Sequence, residues 1–130
     1  MINANEIIKS IDQAVEARKN GSDFPHAIIN GKEYIIHYYE RGPKAPAKHE
    51  LCIWDTKERS LLQQSFTTME AAKNAGVERI QKYDQGYICC CGCGEYIKLE
   101  DIAGNIFAGQ YCKECWENKY RAVEANMNYD

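Results

Sequence analysis

No apolar run in this chain approaches the roughly 18 residues that a membrane-spanning helix needs, so a span is excluded. Three prolines, three histidines and nine glycines in 130 residues leave no low-complexity tract, and no internal repeat is visible. The opening stretch, MINANEIIKSIDQ, has neither the basic nor the apolar region of a secretory signal, which points to a cytoplasmic protein with reduced thiols. Catalytic constellations are missing as well. There is no Ser-His-Asp set, no glycine loop to cradle phosphate and no carboxylate cluster. His26, His37 and His49 fall in or beside predicted strands, and His37, among alternating neighbours, reads as a structural histidine rather than a base. The chain is therefore expected not to be an enzyme.

Cysteine is where the sequence is rich. Six of the seven lie in the run CCCGCGEYIKLEDIAGNIFAGQYCKEC, from Cys89 to Cys115. Two pairs have metal-ligand spacing: Cys90-x-x-Cys93, then eighteen residues, then Cys112-x-x-Cys115. Zinc takes four tetrahedral thiolate or imidazole ligands, and two such pairs about 15–20 residues apart supply them. Gly94, directly after the second cysteine, suits the knuckle turn because glycine adopts positive φ at no steric cost. The expected ligands of one Zn2+ are Cys90, Cys93, Cys112 and Cys115. The register is open by one residue, since Cys91-Gly92-Cys93 competes with Cys90-x-x-Cys93 and Cys89 stands beside both. An odd cysteine count without a secretory signal argues against disulfides. Four thiolates close the site to water and substrate, which leaves a redox role for Cys89 or Cys91 as the one chemistry still open. Cys52, far from the others, is expected to be a small buried hydrophobe.

Between the pairs, Glu95 to Ile102 alternates as a strand, Ala103-Gly104-Asn105 reads as a turn, and Ile106 to Tyr111 reads as a second strand. Beyond Cys112 the period becomes helical. Trp116, Tyr120, Val123 and Met127 fall on one helical face, expected to be core. This order of knuckle, hairpin and helix resembles a treble-clef zinc finger. The run Cys90-x-x-Cys93-Gly94-Glu95-x-Ile97 before a later CxxC is similar to the finger of the DksA/TraR family. The resemblance covers residues 89–118 only. It implies a four-cysteine zinc finger there, and not that family's action on RNA polymerase, because residues 1–86 lack its acidic-tipped coiled coil.

Residues 3–20 are predicted to be helical. Asn3 with Glu6 forms a capping-box pattern, Ile7, Ile8, Ile11, Ala14 and Val15 share a face, and Asn20-Gly21 ends the helix. Residues 26–66 read as β structure, with Asn30-Gly31 as a two-residue hairpin turn. A proline loop spans residues 40–48, and ELCIWD and SLLQQSF are two further strands, joined near Thr56–Arg59. Thr67-x-x-Glu70 opens a second helix over 68–82, in which Gly76 costs about 1 kcal/mol relative to Ala and is expected to allow close approach to the sheet. The fold expected is α+β: an antiparallel four-stranded sheet with flanking helices over 1–86, and a treble-clef-like zinc finger with a C-terminal helix over 87–130.

Charge divides at the same place. Residues 1–86 carry twelve acidic and twelve basic side chains, so the net charge of −3 lies wholly in residues 87–130. Four zinc-bound thiolates would take the finger to about −5. Such a surface should be repelled by nucleic acid, whose affinity for proteins depends on Lys and Arg meeting phosphate. The basic residues worth noting are Arg41, Lys44 and Lys48, with Lys57 and Arg59 nearby in sequence. In size, charge and organisation the chain resembles small inhibitors encoded by phages and mobile elements, among them zinc-binding type II anti-CRISPR proteins. That resemblance implies a host partner with a basic surface, such as Cas9 or another nucleic-acid enzyme, engaged by protein-protein interaction. The alternative reading is a nucleic-acid-binding module or transcription regulator using the sheet and the basic 41–59 region. SFTTMEAAKNA loosely resembles the strand-to-helix junction of phage integrase arm-binding domains, which would serve that alternative.

Overall fold

Helix α1 (Ala4–Lys19) begins where Asn3, in extended conformation, accepts the Asn5 N–H on its side chain at 2.8 Å. It ends as expected, with Gly21 at φ 80° returning its N–H to Arg18. The computed structural model describes residues 2–21, 26–56, 59–106 and 109–118. Four strands follow α1: β1 (His26–Ile29), β2 (Lys32–Glu40), β3 (His49–Asp55) and β4 (Ser60–Phe66). They pair antiparallel in sequence order. Asn30 and Gly31 both have positive φ, at 50° and 80°, which matches the right-handed twist of the strands they join.

Helix α2 (Met69–Asp84) starts one residue later than the sequence pattern suggested and runs two residues further. Thr68, not Thr67, is the cap, its Oγ1 accepting the Ala71 N–H at 3.1 Å. The frame is set by what α2 must bury. Ala72, Gly76, Ile80 and Tyr83 form the inward stripe. Ile7, Ile11, Ala14 and Val15 of α1 are buried with them, while Ile8 is only half-buried. On the sheet, Ile29, Tyr34, Ile36, Tyr38, Leu51, Ile53 and Leu62 complete the core. A Cβ on Gly76 would lie 2.6 Å from Ile11 Cδ1, 3.3 Å from Ile53 Cδ1 and 3.4 Å from Leu51 Cδ2. The close approach expected at Gly76 is therefore present, and helix α1 crowds it more than the sheet does.

Alternation places His37 and Cys52, cross-strand partners, on the other sheet face, where both are buried. The His37 ring stacks edge-on against Tyr39 at 4.0 Å, and Arg18 lies over the Tyr39 ring at 4.7 Å. Cys52 is the small buried residue that was expected, its thiol pushed up to about 11 by burial and then by Glu50.

The chain divides into two units, Met1–Gln85 and Gly86–Asp130. In the second, β5 (Tyr87–Cys89) pairs with β6 (Tyr96–Lys98), and β7 (Gly104–Ile106) pairs with β8 (Gly109–Tyr111). Helix α3 covers residues 113–118. The single hairpin expected between the cysteine pairs is thus two hairpins. A 3-10 turn at Leu99–Asp101 breaks the first strand, and Leu99 N–H bonds back to the Gly86 carbonyl. Ala103-Gly104-Asn105 is not a turn, since Gly104 and Asn105 open β7. Of the expected helical stripe, Trp116 is half-buried, while Tyr120, Val123 and Met127 lie outside the described residues.

Candidate metal centre

The loop between β5 and β6 is the knuckle. Cys90 N–H bonds to the Glu95 carbonyl at 2.8 Å, and Gly94 N–H to the Cys90 carbonyl at 2.9 Å. The chain can close this tightly because Gly94 sits at φ 78°, the conformation anticipated for it. The second pair comes from the strand-to-helix junction: Cys112 follows β8, and Cys115 lies in the first turn of α3. There Trp116 N–H bonds to the Cys112 carbonyl at 2.8 Å.

Together these elements bring the sulfurs of Cys90, Cys93, Cys112 and Cys115 within 4.8 Å of one another. A tetrahedral zinc with Zn–S bonds of about 2.3 Å has sulfurs about 3.8 Å apart, so the donor set needs little movement to close on an ion. Cys90 is buried, Cys112 and Cys115 are half-buried, and Cys93 is exposed. Cys52, Cys89 and Cys91 stand outside the group.

The electrostatics suit a cation. Burial works to raise the Cys90 thiol, but backbone N–H groups of Cys112, Cys93 and Gly92 outweigh it and bring it down to about 6. Two of those donors, Gly92 and Cys112, each lie 3.3 Å from the sulfur. Cys115 is pushed the other way, to about 12, first by its hydrogen bond with Cys112 and then by burial and the neighbouring sulfurs. Ionisation is thus favoured at Cys90 and opposed at Cys115, there by the Cys112 hydrogen bond first and then by burial and the nearby sulfurs. A dication removes that opposition, because metal-bound thiols are deprotonated outright.

Three features of the centre carried no signal in the sequence. A Cβ on Gly92 would lie 2.9 Å from both Cβ and Sγ of Cys115, so the knuckle backbone passes directly against the second pair. A Cβ on Gly104 would lie 2.4 Å from the Trp116 ring, so the indole rests on the bare backbone of β7 and holds α3 there. Gln110, a lone polar residue in a short strand, is 1 % exposed, and its amide reaches the knuckle. Each feature depends on distant chain segments meeting.

The basic residues singled out in the sequence separate. Arg41, Lys44 and Lys48 are exposed on the β2–β3 loop, with Arg41 N–H bonded to the Lys48 carbonyl at 2.7 Å. Arg59 is at the opposite end of β3, roughly 20 Å away at about 3.4 Å per residue. Its backbone N–H bonds to the Asp55 carboxylate at 2.9 Å, and its guanidinium donates to the Tyr83 hydroxyl at 3.4 Å. Lys57 lies outside the described residues. The histidines do not converge: His26 pairs with Glu33 at 2.5 Å, and His49 bonds the Tyr38 hydroxyl at 2.7 Å. Among the described residues, no helix is long and apolar enough to cross a membrane.

Comparison with protein-family models, curated proteins and solved structures finds no match. Neither the DksA/TraR nor the anti-CRISPR resemblance gains support from it. The site rests on its own geometry, a four-cysteine cluster able to bind a metal ion.

Proposed function

We propose that this chain is a non-catalytic zinc protein, in which Cys90, Cys93, Cys112 and Cys115 hold one structural Zn2+ in a treble-clef-like finger. The observation that carries this reading is the convergence of four sulfurs from two hairpins and a helix within 4.8 Å. The donor set favours zinc because soft thiolates in a tetrahedral arrangement select it over hard, oxygen-seeking cations. Need for the ion follows from the size of the surrounding core. In the described part of the second unit, Ile88, Cys89, Cys90, Gly109, Gln110 and Tyr111 are the buried residues, a small core for two short hairpins and a helix. Metal binding then contributes folding free energy directly. Zinc analysis of full-length protein purified without added metal tests the reading: one zinc per chain supports it, and none in a folded sample refutes it.

The finger, folded around its ion, works in this reading by binding a macromolecular partner with a basic surface. Its excess of acidic side chains and its thiolate charge support that choice, since complementary charge steers association and suppresses wrong partners. An inhibitor of a host nucleic-acid enzyme fits this chemistry, with guide-loaded Cas9 as the candidate to test. Separation of the Arg41 loop from Arg59 leaves one short basic segment for phosphate, which weighs against the nucleic-acid alternative. Titration against labelled duplex DNA and against guide-loaded Cas9 distinguishes the two. Tight DNA binding, lost when Arg41, Lys44 and Lys48 become Glu, would replace the protein-partner reading.

A further inference from the structure

Three cysteines stand in a row at 89–91, and the structure gives each a different environment. Cys90 faces the other three sulfurs of the cluster. Cys89 is buried, and its thiol donates to the Gly94 carbonyl at 3.0 Å. Cys91 is exposed and outside the cluster. The two flanking residues are tied to one side chain. Gln110 Nε2 donates to the Cys89 carbonyl at 2.7 Å and to Cys91 Sγ at 3.6 Å. The Gln110 backbone carbonyl accepts the Cys91 N–H at 2.8 Å. A primary amide carries two hydrogens on one nitrogen, so a single Gln can hold both flanks of Cys90 at once. Gln110 is also the one buried polar side chain among the described residues of the second unit. Such a group is retained in a small core only with its hydrogen bonds made.

We infer that Gln110 is a positioning residue that selects Cys90, and not Cys91, as the first metal ligand. The inference rests on the metal reading above and deepens it. A run of three cysteines offers three sulfurs to one coordination place, and spacing alone does not choose among them. Tethering the carbonyl of residue 89, with the N–H and sulfur of residue 91, to β8 fixes both peptides around Cys90. Cys91 is then held outward, and the Cys90 sulfur receives the N–H groups of Gly92 and Cys112. Outer groups that orient metal ligands commonly change metal affinity by about 10- to 100-fold when removed.

The test is alkylation of the zinc-loaded full chain, with labelled sites read by mass spectrometry. In the wild type, Cys91 is labelled and Cys90, Cys93, Cys112 and Cys115 are protected. Gln110→Met keeps the volume and removes the donors. It should shift protection partly from Cys90 to Cys91, with zinc still at one per chain and affinity lower by about 10- to 100-fold. Gln110→Leu, likewise apolar and without a donor, should redistribute the label in the same sense. In a Cys90→Ser background, Gln110→Met should strengthen zinc binding, because a released Cys91 can take the empty place. A purely structural Gln110 would weaken it further. Protection of Cys91 in the wild type, unchanged labelling in both Gln110 variants, or no gain in the double variant overturns the selection role. A wild-type chain that takes up no zinc overturns the metal reading, and with it the inference. One bound zinc without redistribution overturns the inference alone.

Discussion

Gly76→Ala sets two effects of similar size against each other, and the structure says which wins. Alanine in the middle of α2 gains about 1 kcal/mol of helix propensity over glycine. The new methyl, however, would sit 2.6 Å from Ile11 Cδ1, against an ordinary carbon contact of about 3.5–4.0 Å. Two further methyls close the remaining directions, Ile53 Cδ1 at 3.3 Å and Leu51 Cδ2 at 3.4 Å. All three residues are fully buried, so Ile11 Cδ1 can yield only by turning within the core and not by moving out into water. Over-packing of this kind costs about 1–3 kcal/mol. The expected net effect is destabilisation by about 1 kcal/mol, a fall in melting midpoint of roughly 4–8 °C for a unit of this size. Urea unfolding followed by far-ultraviolet circular dichroism reads it, since α1 and α2 both lie in the first unit. Ile11→Val alone should cost about 0.5–1.5 kcal/mol. Combined with Gly76→Ala it removes the clashing carbon, so the pair should be less destabilised than the sum, with a coupling of about 1 kcal/mol. A Gly76→Ala protein more stable than wild type, with no coupling to Ile11, would show that the helices do not meet at this point.

Other outcomes follow from the remaining contacts. Serine at Cys90, Cys93, Cys112 or Cys115 should abolish tight zinc binding by inductively coupled plasma analysis, whereas Cys52→Ser and Cys91→Ser should keep it; zinc lost from Cys91→Ser but not Cys90→Ser would reverse the register. Gly104→Ala should displace the Trp116 ring and shift its fluorescence, and an unchanged emission spectrum would contradict the stacking on β7. The Tyr34 hydroxyl is raised from its ordinary 10 to about 12, first by burial and then by Tyr83, Asp84 and Asp55. A raised acid contributes stability that is complete below about pH 10 and lost as pH climbs toward about 12, here on the order of 1–2 kcal/mol. Urea midpoints across that window should therefore fall more steeply for wild type than for Tyr34→Phe, and parallel curves would refute the assignment.

The local elements were legible because their causes are local. Asn30-Gly31 needs positive φ at two successive positions, and Gly21 and Gly94 need it at one each, so those turns are written where they occur. The stripe of Ile7, Ile11, Ala14 and Val15 comes from the helical period against a single buried face, and the period of two puts Tyr34, Ile36 and Tyr38 with Leu51 and Ile53 on one face of the sheet while His37 and Cys52 are buried on the other. The cysteine pairs were legible for the same reason, since a metal knuckle needs two sulfurs at fixed short spacing.

Where the sequence was ambiguous, the deciding partner lay elsewhere in the chain. Nothing in residues 95–111 separates one long hairpin from two short ones, because pairing of β6 back to β5 depends on the knuckle bringing residues 87–89 alongside. Thr67 and Thr68 cap equally well by type, and the choice fell to the residues α2 had to bury. Arg59 reads as part of a basic patch until strand β3 carries it to Asp55 and Tyr83. Which of three adjacent cysteines faces the cluster was likewise open, and the answer lies with Gln110, Cys112 and Gly92 acting across about twenty residues of chain. Propensity and spacing act within a turn or two of chain; packing, charge pairing and ligand choice depend on groups that only the folded backbone brings within contact distance.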